Sequence, residues 1–344
     1  MTTISAVSGP RSIGDVLDGA FRIFRAHFGS LIFTTALFLV PVGILSGLLT
    51  GSYMTSMQDM MMAAEVMDST GSNALLGDMI NSAVSTFGLV LLLSALMMVA
   101  TGLVNLTLTV QVLAILAAQP LAFEQALRRA MGRFGAWLGM ALAQYGAITG
   151  ITMGLVLVVG IAAFILVFGA GLVWEVLGLD GGSFSAVAFA ATMLAVLCAY
   201  LFLLILLLAP AAYLSTRWVA AVPGLVDQRL GPVQSLRASW RLTRRLVWRS
   251  LIFTVLLSVL GMLITTAPML VLQQIMLAVL PFDPATVAAI STALGSITSI
   301  LWQPLYAAAA VLYYFDLRVR QESYDLSLRI QAVEAQAQEA QLQP

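Results

Sequence analysis

Lysine is absent from this chain, histidine and cysteine occur once each, and charged side chains make up only 9% of the 344 residues. Each shortage excludes something. The single cysteine, Cys198, stands in an apolar stretch, so neither a disulfide framework nor a cysteine-based zinc site is available, and the redox compartment stays open. The single histidine, His27, sits at the foot of an apolar run, and no His, Cys or carboxylate cluster has metal-ligand spacing. Acid–base and metal-assisted hydrolysis therefore lack their usual side chains. No G-x-S-x-G elbow occurs, and without lysine no glycine loop ends in the residue that reaches a phosphate. The chain is accordingly expected not to be an enzyme and to need no cofactor. A soluble protein carries about 25% charged residues, so an ordinary soluble domain is excluded too, and no nucleic-acid partner is expected.

What is present is apolar: 60% of the residues are hydrophobic. Residues 26 to 58, 79 to 123, 134 to 174, 181 to 216, 250 to 282 and 284 to 315 contain no Asp, Glu, Lys or Arg. Each window exceeds the roughly 20 residues a helix needs to cross ~30 Å of hydrocarbon. Nothing alternates like a barrel strand, so the backbone must be satisfied within helices, and an all-α integral membrane protein with six spans is predicted. The opening "MTTISAVSGP" has no basic start followed by an apolar run, so no removable signal peptide is expected.

All 16 basic residues are arginines, and they fall within 11 to 25, 128 to 133, 217 to 249 and 318 to 329. The alternate loops carry Asp59, Glu65, Asp68, Asp78, Glu175, Asp180 and Asp283 instead. The positive-inside rule then predicts a multi-pass protein with both termini cytoplasmic.

The stretch "RSIGDVLDGAFRIFRAHFGS" puts Ile13, Val16, Leu17, Ala20, Phe21, Phe24 and Phe28 on one helical face and leaves Asp15, Asp18, Arg22 and Arg25 to the other. It reads as a helix on the membrane surface feeding a span. The pattern returns twice, with Leu17, Leu127 and Leu236 at intervals of about 110 residues, which predicts three parallel two-span repeats, each preceded by a cytoplasmic amphipathic helix. Unit 1 is residues 1–118 (surface helix 11–28, spans 31–50 and 83–117). Unit 2 is 119–227 (surface helix 121–134, spans 138–170 and 186–214) and unit 3 is 228–318 (surface helix 232–247, spans 250–278 and 286–312). A cytoplasmic tail, 319–344, follows. Gly43, Gly47 and Gly51 in the first span and Gly146, Gly150 and Gly154 in the third recur one turn apart, with Gly261 a weaker equivalent in the fifth. Small residues so spaced let helices approach closely in lipid, although glycine is also merely common in membrane helices.

The segments "RSIGDVLDGAFRIFRAHFGSLI", "LRASWRLTRRLVWRSLIF" and "YYFDLRVRQESYDLSL" resemble the bacterial glycerophosphoryl diester phosphodiesterase membrane-domain family. The resemblance runs over residues 10 to 330 and implies a polytopic membrane module with no established chemistry of its own.

Two features bear on other functions. The apolar windows hold no ionisable Asp, Glu, Lys or Arg to mark an ion pathway, and Asn105, Gln111, Gln144, Gln273, Gln274 and Gln303 read as interhelical hydrogen-bond formers. An outer segment with Met54, Met57, Met60, Met61, Met62, Met67 and Met79 offers thioethers that suit Cu(I). It reads equally as an amphipathic helix using adaptable apolar surface, because Met54, Met57, Met61 and Ala64 share a face.

The function expected is a non-catalytic membrane scaffold or accessory protein, with a permease for a neutral or lipid-like solute as the alternative. Its working residues are the arginines that would meet anionic lipid or a protein partner: Arg22, Arg25, Arg128, Arg129, Arg133, Arg237, Arg241, Arg244, Arg245, Arg249, Arg318 and Arg320. The same arginines could instead only set topology. Reporter fusions at Gly71, Gly181 and Asp283 should read as external and fusions at Arg129, Arg229 and the C-terminus as cytoplasmic; an external C-terminus would contradict the six-span arrangement.

Overall fold

The computed structural model describes residues 9–70, 74–176, 205–206, 208–279 and 283–322. Among these residues the chain is all-helical, with no strand. The helices are α1 (Ile13–Ala26), α2 (Phe28–Thr70), α3 (Ala74–Leu116), α4 (Phe123–Val176), a stretch at 208–217, α5 (Ala221–Asp227), α6 (Pro232–Thr243), α7 (Val247–Gly261), a π-helical turn (Met262–Thr266), α8 (Ala267–Val279) and α9 (Pro284–Glu322). Five segments are long and apolar enough to cross a membrane: Phe28–Gln58, Val84–Leu116, Phe123–Ile161, Val247–Val279 and Pro284–Glu322. Of the expected span at 186–214, residues 186–204 and 207 lie outside the described residues.

α1 starts where Ser12 accepts from the Asp15 amide and Asp15 accepts from the Ser12 amide and hydroxyl, a reciprocal cap that satisfies two end donors. These bonds stabilise the ionised carboxyl and hold Asp15 below the usual carboxylate range. The apolar face of α1 does not lie bare: Val16, Gly19 and Ala20 are buried, with Gly19 set so close to Leu312 of α9 that a Cβ there would come to 2.9 Å. Phe21 and Phe28 remain exposed. α1 and α2 are separated by His27 alone.

In the second unit no such break exists, and the expected surface helix at 121–134 is the start of α4, continuous from Phe123 to Val176. The surface helix expected at 232–247 ends at Thr243, because Thr243 and Ser239 turn their hydroxyls to the carbonyl of Arg217 and the chain redirects through 244–246. Arg244 and Arg245 therefore lie in a turn and do not continue the Arg237 and Arg241 row.

The centre of packing is the second half of α9. Ala307, Ala308, Ala309 and Ala310 are buried together with Tyr313 and Tyr314, and Tyr313 stacks on Phe253 of α7 at 3.9 Å between ring centres. Small side chains admit α1, α2, α3 and α7 around this stretch. The first half of α9 lies along α2 through glycine: a Cβ on Gly43 would overlap Ser296, one on Gly47 would sit 2.6 Å from the Ala289 carbonyl, and one on Gly51 would sit 3.2 Å from the Ala289 Cβ. Gly261 lies beneath the Trp302 indole. Gly146, Gly150 and Gly154 meet no neighbour within 4 Å among the described residues. An equivalent contact that the sequence reading missed joins Gly102 of α3 to the ring of Trp137 on α4. Further from this centre, large apolar side chains such as Leu48, Val84, Phe87 and Val158 are more than half exposed, a surface suited to lipid.

Replacing Gly43 by Leu should force α2 and α9 apart and cost about 1–3 kcal/mol, the usual range for overpacking. Gly146→Ala should be tolerated. Thermal unfolding of the purified chain in mild detergent checks both, and equal losses at the two positions would contradict the packing role given to Gly43.

Candidate functional site

The arginines converge on one end of the bundle, where α1 and α6 lie, α3 and α9 end and α4 and α7 begin. Two carboxylates organise that end. Asp316 of α9 has a fully buried side chain and accepts from the Arg11 amide at 2.8 Å, from Arg249 Nη2 at 2.9 Å and Nε at 3.2 Å, and from Arg320 Nε at 3.1 Å. Arg249 and Arg320 each also donate to the Arg11 carbonyl. Three chain segments distant in sequence are thereby tied at one point. Asp227, at the end of α5, accepts from the Tyr314 hydroxyl at 2.8 Å and from Arg318 at 3.1 Å, and Arg318 also pairs with Glu322 at 2.9 Å. Gln228 donates to the same tyrosine oxygen. Buried charge is costly unless paired and hydrogen-bonded, and Asp316 meets that condition; Asp227 is paired in the same way but more exposed.

A third cation is held differently. Arg217 is 7% exposed, and its guanidinium lies 4.6 Å from the Trp240 ring centre and 5.2 Å from that of Tyr213, whose hydroxyl accepts from Nε. Its Nη1 is buried without a hydrogen-bond partner.

The arginine set read from the sequence thus divides. Arg249, Arg318 and Arg320 are paired with carboxylates of the protein itself. Arg22 and Arg25 on α1, Arg129 on α4, Arg237 on α6 and Arg244 and Arg245 in the following turn are exposed, and Arg133 is half-buried; no carboxylate lies within ion-pair distance of these seven among the described residues. Arg128 pairs with Glu124 and Arg241 with Glu322 in largely exposed, long contacts of 3.7 and 3.8 Å, which hold little energy. Trp248, 78% exposed, stands beside Arg249 at the start of α7. The sequence reading missed the roles of Asp227, Asp316 and Arg217, since a lone Asp on an arginine-rich segment reads as a surface charge until its helix is known to be buried.

Of the amides, Gln111 is buried and exchanges hydrogen bonds with Thr34 of α2 at 2.9 and 3.2 Å, an interhelical pair. Asn105 and Gln144 line a cavity of about 870 Å³ between α3, α4, α5, α7 and α9. Gln273 and Gln303 are half-buried and Gln274 is exposed. Met54, Met57, Met60, Met61, Met62 and Met67 all lie on α2, which runs on as one helix to Thr70, and Met79 lies on α3. Among the described residues no group of three or more His, Cys, Asp or Glu side chains is placed to hold a metal ion.

Residues 188–327 match the family model of the membrane domain of glycerophosphoryl diester phosphodiesterase. This stretch covers two of the three quoted segments and everything in the two carboxylate networks except Arg11. No curated protein and no solved structure matches the chain. Together with five apolar helices of spanning length, the match supports a membrane protein.

Asp316→Asn should leave Arg249 and Arg320 facing a neutral group, at a cost of about 3–5 kcal/mol, the usual consequence of breaking a buried pair. The double change Asp316→Leu, Arg249→Met should recover much of that loss. Thermal unfolding in detergent measures both, and a single Asn variant as stable as the parent would remove Asp316 from its central place.

Proposed function

We propose that the chain is a multi-pass protein of the bacterial plasma membrane, with six spans in three two-span units of one orientation and both termini cytoplasmic. In this reading it is a non-catalytic scaffold or accessory module whose arginine-bearing end contacts anionic lipid headgroups. The name of the matched family favours a module that serves a phosphodiesterase held at the membrane.

The supporting observation is the division of the arginines. Arg249, Arg318 and Arg320 are tied into the fold's own networks, while Arg22, Arg25, Arg129, Arg237, Arg244 and Arg245 remain outward. Exposed Trp248 and partly exposed Trp240 stand among them, and indole rings at that level favour the headgroup layer over a protein partner. Each basic side chain near an anionic surface contributes about 1 kcal/mol, so this set gains several, reduced by salt within a Debye length.

The full chain in nanodiscs of mixed neutral phospholipid and phosphatidylglycerol should enrich the anionic lipid in its annulus. Enrichment should fall at least about tenfold on changing Arg237, Arg241, Arg244 and Arg245 to Gln, and should weaken as salt rises. Unchanged enrichment in that variant would leave the arginines as topology signals alone.

A further inference from the structure

The cavity of about 870 Å³ has no place in a lipid-surface role. A volume of this size falls among ligand pockets, about 300–1,000 Å³. Its position is unusual for a water-filled space. Thr254 lies seven residues into α7, Asn105 eleven residues before the end of α3 and Tyr306 sixteen before the end of α9. At 1.5 Å per residue these groups stand about 10–24 Å from the arginine-bearing ends of their helices, within a ~30 Å hydrocarbon layer.

Polar groups at that depth need partners. In this chain helical threonines ordinarily return their hydroxyl to the carbonyl four residues back, as Thr34, Thr35, Thr216 and Thr265 do. Thr254 departs from the pattern: it lines the cavity, and its hydroxyl is buried without a hydrogen-bond partner. Asn105, Thr109 and Gln144 line the cavity as well. Trp137, Trp218 and Trp302 with Met98 and Met140 add apolar surface that adapts to an irregular shape. Among the described residues the wall carries no Asp, Glu, Lys, Arg or His. A buried phosphate would find no counter-charge there, whereas a hydroxyl would find amides and a threonine. One wall ends at Gly261 and Met262, where α7 opens into its π-helical turn, a local widening that recurs at functional sites.

We propose that this cavity binds an uncharged, hydroxyl-bearing lipid of the diacylglycerol type, its head on Asn105, Gln144 and Thr254 and its apolar body against the tryptophans. The site is separate from the arginine surface, so either assignment can fail without the other.

Three of the six tryptophans line the cavity, which makes fluorescence the readout. The full chain in nanodiscs of unlabelled phospholipid is titrated with diacylglycerol brominated on its acyl chains. Saturable quenching is expected, and Asn105→Leu with Gln144→Leu should weaken it at least about tenfold, because a buried hydroxyl then loses its partners. Ala141→Phe, which fills the cavity from α4, should abolish the saturable part. Each variant is first shown to unfold at the parent's temperature. If Ala141→Phe does not fold, the Asn105 and Gln144 pair decides alone. Quenching that rises linearly with added lipid, or that neither change alters, would overturn the site. Equal saturable quenching by brominated phosphatidylglycerol would overturn the selection for an uncharged head.

Discussion

A single buried carboxylate, Asp316, holds together the end of the bundle on which the other features rest. Its oxygens receive donors from the chain start, from the foot of α7 and from the next turn of its own helix. Without protein donors, an anion so placed would be far too costly to bury, so the three segments can adopt this arrangement only together. That cooperation explains why α1 lies on α9 with its apolar face covered: the Arg11 amide and carbonyl, just before the Ser12 cap, are both tied into the Asp316 network.

Packing follows from the same point outward. Around Asp316 and Tyr313 the helices close on a run of four alanines, whereas further along α2 and α9 contact depends on Gly43 and Gly47 admitting backbone to backbone. Between these two zones lies the cavity, bordered by α3, α4, α5, α7 and α9. Trp302 leaning on Gly261 and Trp137 on Gly102 pin its edges, so the space is bounded by rigid rings held in place by the smallest residues in facing helices.

Much of the fold was legible because hydrocarbon imposes a simple grammar. Charge-free windows longer than a bilayer can only be helices, and the five spans among the described residues fall within or across the expected ones. Boundaries were less legible: nothing in "FEQALRRAMGRFGAWLGM" says that the helix continues where "RLTRRLVWRS" breaks, because the break depends on Ser239 and Thr243 finding the Arg217 carbonyl far along the chain. Of the two glycine runs, only the first faces a helix among the described residues, and identical spacing carries no record of what stands opposite. The arginine set was legible as a pattern but not as a division of labour. Which cation faces a carboxylate depends on where Asp227 and Asp316 end up, and each looks in sequence like an ordinary surface charge.

The absence of lysine, with which the sequence opened, gains a physical reason from these contacts. Arg249 reaches Asp316 with two nitrogens and the Arg11 carbonyl with one of them, and Arg318 spans Asp227 and Glu322. A planar fork serves two acceptors at fixed angles, whereas an ammonium on a flexible stem does not. Arg217 has its guanidinium 4.6 Å and 5.2 Å from the centres of two aromatic rings, a setting that favours a delocalised, weakly hydrated cation. At the outward positions the same chemistry suits a phosphate oxyanion, which presents paired oxygens much as a carboxylate does. One residue type thus fills two settings inside the protein, a buried anion and a pair of aromatic rings, and in the proposed reading a third, the headgroup layer, which differ only in what lies opposite.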